Sequence, residues 1–361
     1  MKAHKPTTIL LALLASTGLA QSTPTTTPFA SGFNSPMGLL VAPDGDVWVI
    51  DSGTGGDETL ETTNPDTGEQ QTATVGDTSR VVSIAADGTQ TEEAILPSLV
   101  AGMEATGGAR LALAGDSVYA TSGVWAEFTG PEPLPLMASL VKVGSGDSTA
   151  VADIWAFESR ENPDGFVKEA HPYGLTTGPD GMLYIADAGA NDLVKVDPAS
   201  GEVTLVATFD GVPGPLPNPG RGGANEADPV PTAVAFGADG TIYVSLLPGF
   251  PFTPGSAKVV TVSSDGTVSD YATDLTMITD LQMGPDGALY AVSLGEFGQQ
   301  GPTPNTGAVM RITDGKSEAV LSDLSFPTAL AFAKDGTAYL TLNGVGAPGS
   351  GEVVTVSGLT E

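Results

Sequence analysis

The chain has 361 residues, 47 of them Gly and 28 Pro, with no Cys and a formal net charge of −30 from 43 Asp and Glu against 13 Lys and Arg. A surface of that sign repels phosphate backbones and anionic headgroups, which argues against nucleic-acid and membrane-surface binding and leaves cations, basic partners and neutral sugars open. His171 is the only His beyond His4, so multi-His zinc sites, Cys–His nucleophile pairs and zinc fingers are excluded.

The chain opens with Lys2, His4 and Lys5, then "ILLALLAS", then small residues ending in "GLA" before Gln21. That order of charge, apolar core and small-residue exit is a secretory signal peptide over residues 1–20, cut near Ala20, and too short to span a bilayer as a mature helix. The expectation is a secreted, periplasmic or cell-envelope protein, monomeric and not inserted in a membrane. Without Cys it has no disulfides to hold it.

From Ser35 onward one pattern recurs: an apolar strand, an Asp-Gly turn and a second apolar strand. It reads "SPMGLLVAPDGDVWVIDSG" from Ser35, "HPYGLTTGPDGMLYIADAG" from His171, "VPTAVAFGADGTIYVSLLPG" from Val230, "MITDLQMGPDGALYAVSLG" from Met277 and "FPTALAFAKDGTAYLTLNG" from Phe326. A weaker copy, "GARLALAGDSVYATSG" from Gly108, lacks the Asp-Gly turn. Each hairpin is followed by a variable loop and a second strand pair, such as "NDLVKVDPASGEVTLVATF". A repeated four-stranded antiparallel unit is a propeller blade, so the fold class is all-β, a six-bladed β-propeller over residues 21–361. The last unit ends after its third strand, "SGEVVTVSGLTE". The segment "TPTTTPFASGF" (Thr23 to Phe33) supplies the missing strand and is expected to pair around Glu352 to Val356, closing the ring and removing two open edges.

One aromatic column, Trp48, Tyr119, Tyr184, Tyr243, Tyr290 and Tyr339, recurs in all units and is read as packing between blades. The short turns fall on one face of the ring, and the long second-to-third loops and blade links fall on the other, where binding groups are expected. Asp51 and Asp187 end second strands in matching contexts, "VIDSG" and "IADAG", and Asn191 and Asp192 follow closely. These oxygens suit Ca²⁺, with Asp51 and Asp187 the candidate metal ligands, although no EF-hand spacing is present and Asx residues at loop starts also shape turns by local hydrogen bonds. Where the innermost strands begin, four units carry Gly38, Gly174, Ala233 and Ala329, while two opposite units carry Arg110 and Asp280. This pair either meets across the channel mouth or makes separate local contacts. His171, beside Tyr173 on a blade link, is a candidate general base or an ordinary loop residue.

The blocks "HPYGLTTGPDGMLYIADAGANDLVKVD" and "SPMGLLVAPDGDVWVIDSG" resemble the ScyD/ScyE family of secreted proteins. The resemblance implies a six-bladed propeller of the NHL or Vgb-lyase-like kind and little about chemistry. Related six-bladed families include Ca²⁺-dependent lactonases, which hold the metal with a Glu, Asn and Asp set at the channel mouth. The sequence leans to a binding protein that holds a small molecule, glycan or protein loop at the long-loop face. A Ca²⁺-assisted hydrolase or lyase at the same mouth and a cell-envelope scaffold remain the alternatives.

Overall fold

Six antiparallel sheets stand around one axis in the structure, a computed structural model that describes residues 24–63, 69–102 and 104–360. The leader read from residues 1–20 lies outside the described residues. Blade 1 is built on Pro36–Val41, Val47–Asp51, Gln70–Ile84 and Gln90–Ala101, and blade 2 on Gly108–Ala114, Ser117–Ser122, Ser139–Lys142 and Thr149–Asp153. Blade 3 takes Pro172–Thr177, Leu183–Asp187, Asp192–Val196 and Val203–Thr208, and blade 4 takes Pro231–Phe236, Ile242–Leu246, Ala257–Val262 and Val268–Leu275. Blade 5 takes Ile278–Met283, Leu289–Ser293, Gly307–Thr313 and Lys316–Leu324.

Blade 6 is Leu330–Phe332, Ala338–Leu342 and Gly351–Ser357, completed by Thr25–Phe33 from the other end of the chain. The pairing is antiparallel, from Thr25 opposite Ser357 to Phe33 opposite Gly351. Phe33 is fully buried in this seam, which contributes about 2–3 kcal/mol of apolar transfer to the closure. The first strands of successive blades pack on one another all the way round, blade 6 on blade 1 included.

The local chemistry of the repeat explains the short-turn face. Asp180 Oδ1 accepts the Met182 N–H at 3.2 Å, and Gly181 holds φ +80°, which a residue with a Cβ adopts poorly. The same Asp bond recurs at Asp239, Asp286 and Asp335. Inner and second strands carry near-continuous apolar runs because neighbouring blades cover both of their faces. Tyr184 packs edge-on to Phe236 of the next blade and Tyr290 to Phe332, whereas Tyr243 and Tyr339 meet Tyr271 and Phe29 within their own blades.

The small-residue column has a steric cause. A Cβ at Gly38 would lie 2.6 Å from the Ala109 carbonyl oxygen of blade 2, and one at Gly174 would lie 2.8 Å from Cα of Ala233 in blade 4. Hydroxyls staple these close strands: Thr121 Oγ1 donates to the Tyr173 carbonyl and Thr232 Oγ1 to the Ile278 carbonyl.

On the opposite face, several connections expected to be plain loops carry structure, including a short ladder of Phe297–Gly298 with Gly301–Pro302 in blade 5. The segment after Asp51 folds into a β-arm, Glu58–Thr63 pairing with the first half of Gln70–Ile84. The link from blade 2 to blade 3 contains a helix, Ile154–Glu161. Asp153 caps its start by accepting the Ala156 N–H at 2.8 Å, and Asn162 ends it at φ 41°. The link from blade 3 to blade 4 is a strap, Val212–Asn218 paired with Ala224–Ala227 around a short 3₁₀ turn at Pro219–Arg221.

Candidate functional site

Asp51 and Asp187 do the same structural work in their two blades. Asp51 accepts the N–H groups of Asn34 at 3.1 Å and Arg80 at 3.0 Å, and the Arg80 Nη2 pairs with it at 2.8 Å. Asp187 Oδ1 accepts the N–H groups of His171, Gly189 and Ala190 at 2.7, 3.1 and 3.0 Å. Each carboxylate therefore ties the chain entering a blade to that blade's second strand. Burial raises both carboxyls above their ordinary range, against the hydrogen bonds that favour the ionised form. Asp187 Oδ2 is buried without a partner among the described residues.

Asn191, at φ 55°, bridges two links: its Nδ2 donates to Asp164 at 3.0 Å and its Oδ1 accepts the Val230 N–H at 3.4 Å. Asp192 pairs with Asp187 across adjacent strands. Burial, reinforced by Asp187, Glu158 and Asp164, holds its carboxyl well above the ordinary range.

Arg110 and Asp280 meet on the axis, Nε to Oδ1 at 3.6 Å, both side chains buried. Arg110 also donates to the main-chain carbonyls of Met37 and Ala109 through Nη1, and of Thr279 and Thr328 through Nη2. Its guanidinium carbon stands 4.6 Å from the Tyr173 ring centroid. Asp280 in turn accepts the N–H groups of Leu281 and Leu330, both at 2.9 Å. One arginine thus touches blades 1, 2, 3, 5 and 6. His171 lies edge-on to Tyr173, ring centroids 5.6 Å apart, and burial pushes its pKa down to about 4, so the imidazole is neutral at pH 7.

The concavity of the long-loop face lies elsewhere, over blades 1 to 3. It consists of two adjoining cavities, called lobes below, of about 330 Å³ and about 180 Å³, with Phe128 and Glu169 in the wall of both. The larger lies between the blade 1 arm and the loop after Ser122, with Leu99, Glu104, Val124 and Phe128 in its wall. The smaller lies under the strap, against Phe166, Asn191, Asn218 and Asp228.

The loops are pinned in register by main-chain bonds. Thr62 Oγ1 and the Thr63 N–H both donate to the Phe128 carbonyl, and Trp125–Ala126 pairs with Glu169–Ala170. Arg221 anchors the strap. It reaches Glu226 at 2.8 Å, Asp228 at 3.2 Å and Asp164 at 3.9 Å, and lies 4.1 Å from the Phe166 ring centroid.

Glu169 is half-buried where the lobes join, and the loss of solvent there, with Glu104, Asp187 and Asp228 nearby, pushes its carboxyl up to about 8. Behind it, helix Ile154–Glu161 packs on strand Glu169–Ala170. Glu158 is 1 % exposed, has neither carboxylate oxygen partnered among the described residues, and is pushed up to about 8 by burial, Asp187 and Asp164. Of the residues singled out in the sequence, only Asn191 lines the concavity; Glu104, Phe128 and Glu169 sit in connections outside the repeat and carried no signal there.

Among the described residues no group of three or more His, Asp or Glu side chains is arranged to hold a metal ion. No family model matches the chain, and no curated protein does. Solved structures do. A protein from Thermus thermophilus assigned as an oxidoreductase (glucose dehydrogenase) is 17% identical with a TM-score of 0.55, over 92% of this chain and 99% of that one. Regucalcin from Agrobacterium tumefaciens, described as a calcium-binding protein, is 16% identical with a TM-score of 0.52, over 92% and 91%. The PQQ-bound aldose sugar dehydrogenase of Streptomyces coelicolor is 15% identical with a TM-score of 0.51, over 93% and 99%. At these identities the likeness bears on architecture alone, and the chain is a β-propeller closed by its own N-terminal strand.

Proposed function

We propose that this is an exported binding protein of the ScyD/ScyE kind, with residues 1–20 as its leader, that holds a small molecule or a single sugar unit in the two-lobed cleft of the long-loop face. The observation that supports this most is the cleft itself. Three long connections, the blade 1 arm, the link from blade 2 to blade 3 and the strap, border the cavities that Phe128 and Glu169 share. The larger lobe, at about 330 Å³, falls in the size range of small-ligand sites. The channel axis, by contrast, is filled by Arg110.

The test is a thermal-shift screen of neutral sugars, organic acids and organic amines against the wild type and Phe128→Ala. Ligands that raise the Tm of the wild type and not of the variant support the cleft. Ligands that stabilise both equally place binding elsewhere and overturn the reading.

A further inference from the structure

The larger lobe carries a specific chemistry that bears on which molecules it accepts. Its wall is apolar on one side, with Leu99, Val124, Ala126 and the Phe128 ring, and it bears two carboxyl groups, Glu104 and Glu169. No Lys, Arg or His lines it among the described residues. Neither Glu104 nor Glu169 has a side-chain hydrogen bond or ion pair to a described residue. Of the other carboxylates on this face, Asp51 has Arg80, Asp280 has Arg110, and Asp164 has Arg221 and Asn191, while Glu158 is unpartnered among the described residues. Glu104 is exposed and Glu169 half-buried; two acids without counter-charge at the border of one cavity, with Phe128 in the same wall, form a complement to a positive ligand with an apolar body.

We infer that the lobe between Glu104, Glu169 and Phe128 is a subsite for a small organic ammonium ion. This rests on the cleft reading above and adds the charge of the ligand to it. The ammonium group lies between the two carboxylates, and its alkyl part lies against Phe128 and Leu99. In the free protein Glu169 is protonated near neutral pH, its carboxyl raised to about 8 by lost solvent and by Glu104, Asp187 and Asp228. The other titratable groups around it are Glu158 on the helix packed behind, the neutral His171 two residues along, and Lys168, whose Nζ is held by the Ser159 carbonyl. An arriving cation reverses the balance at Glu169, so binding at pH 7 releases a proton to solvent.

The experiment is calorimetric titration of the full chain with choline and with its neutral isostere 3,3-dimethylbutan-1-ol, for the wild type, Glu104→Gln and Glu169→Gln. Choline should bind about tenfold more tightly than the isostere, and each variant should weaken choline about fivefold or more while leaving the isostere unchanged. Choline binding at pH 7 should show an enthalpy that varies with the ionisation enthalpy of the buffer, and Glu169→Gln should abolish that variation. Equal binding of choline and isostere, lost together in Phe128→Ala, would leave the cleft standing and overturn the inferred charge. Choline binding that both Gln variants leave intact, or no saturable choline binding at all, would overturn the inference outright.

Discussion

Arg110 Nε lies 3.6 Å from Asp280 Oδ1, joining blade 2 to blade 5 across the axis of the ring. The two charges interrupt a column that is otherwise Gly and Ala, and they convert it from a steric necessity into a tie. Because Arg110 also takes carbonyls from blades 1, 5 and 6, it acts as a peg in the channel.

Removing the peg should therefore cost more than a surface charge would. Arg110→Ala leaves the buried Asp280 carboxylate without its counter-charge and several carbonyls without the guanidinium as donor, for a loss of about 3–5 kcal/mol in denaturant unfolding. Asp280→Asn should cost less, and a double-mutant cycle between the two positions should return a coupling of about 1 kcal/mol or more. A change in Arg110→Ala within about 0.5 kcal/mol would show that the peg is incidental.

The terminal seam should be equally sensitive. Phe33→Ala should lose about 3–5 kcal/mol, since the ring is fully buried against blade 6. Deleting residues 24–33 should do more, because it bares Gly351–Ser357 as an open edge, and soluble yield should fall with Tm. A deletion variant with wild-type Tm, measured by calorimetry, would contradict the closure.

Stability should fall as the solution becomes alkaline. Glu158 has an ordinary carboxyl value of 4.5 and is raised to about 8, so the folded chain keeps a proton that the unfolded chain has released. Its contribution is full below about pH 4.5 and is lost as pH rises through 8. His171 runs the other way: held at about 4, it contributes above pH 6.5 and loses that contribution as pH falls through 4. Between pH 6.5 and 8 only the carboxyl effect is changing, and Glu158 accounts for a loss on the order of 1–2 kcal/mol. Glu158→Gln should reduce that slope, leaving the part that belongs to Glu169, as denaturant midpoints at the two pH values will show. An unchanged slope in the variant would remove Glu158 as its source.

The strap depends on one side chain. Arg221→Ala removes the partner of Glu226, Asp228 and Asp164 and the contact with Phe166. Amide exchange over Val212–Ala227 should accelerate about tenfold or more, with the blades unaffected. Equal protection in the variant would mean that strand pairing alone holds the strap.

The ring was legible in the sequence because a blade is written six times over. The Asp-Gly turns, the aromatic column and the truncated last unit each follow from local backbone chemistry, and Thr25–Phe33 fills the gap that the truncation leaves. The Arg110–Asp280 pairing was legible as one of two alternatives, since opposition follows from counting blades while contact depends on side-chain reach. The cleft was not legible. Glu104 and Glu169 lie in two blade links and Phe128 in the blade 2 loop after Ser122, connections that no repeat aligns, and they come together only when the ring closes and these segments fold over it. A partial signal existed for the helix: Asp153 before "IWAFESRE" and Asn-Pro after it are start and stop residues. Glu158 on that helix reads as a solvated charge until the strand Glu169–Ala170 covers it.

The central claim, that the cleft over blades 1 to 3 is where this propeller binds its ligand, is tested most directly by difference density in crystals soaked with the stabilising compounds. The account predicts density against Phe128 and Glu169. Density confined to the short-turn face, or to the axis in place of the Arg110 side chain, would contradict it.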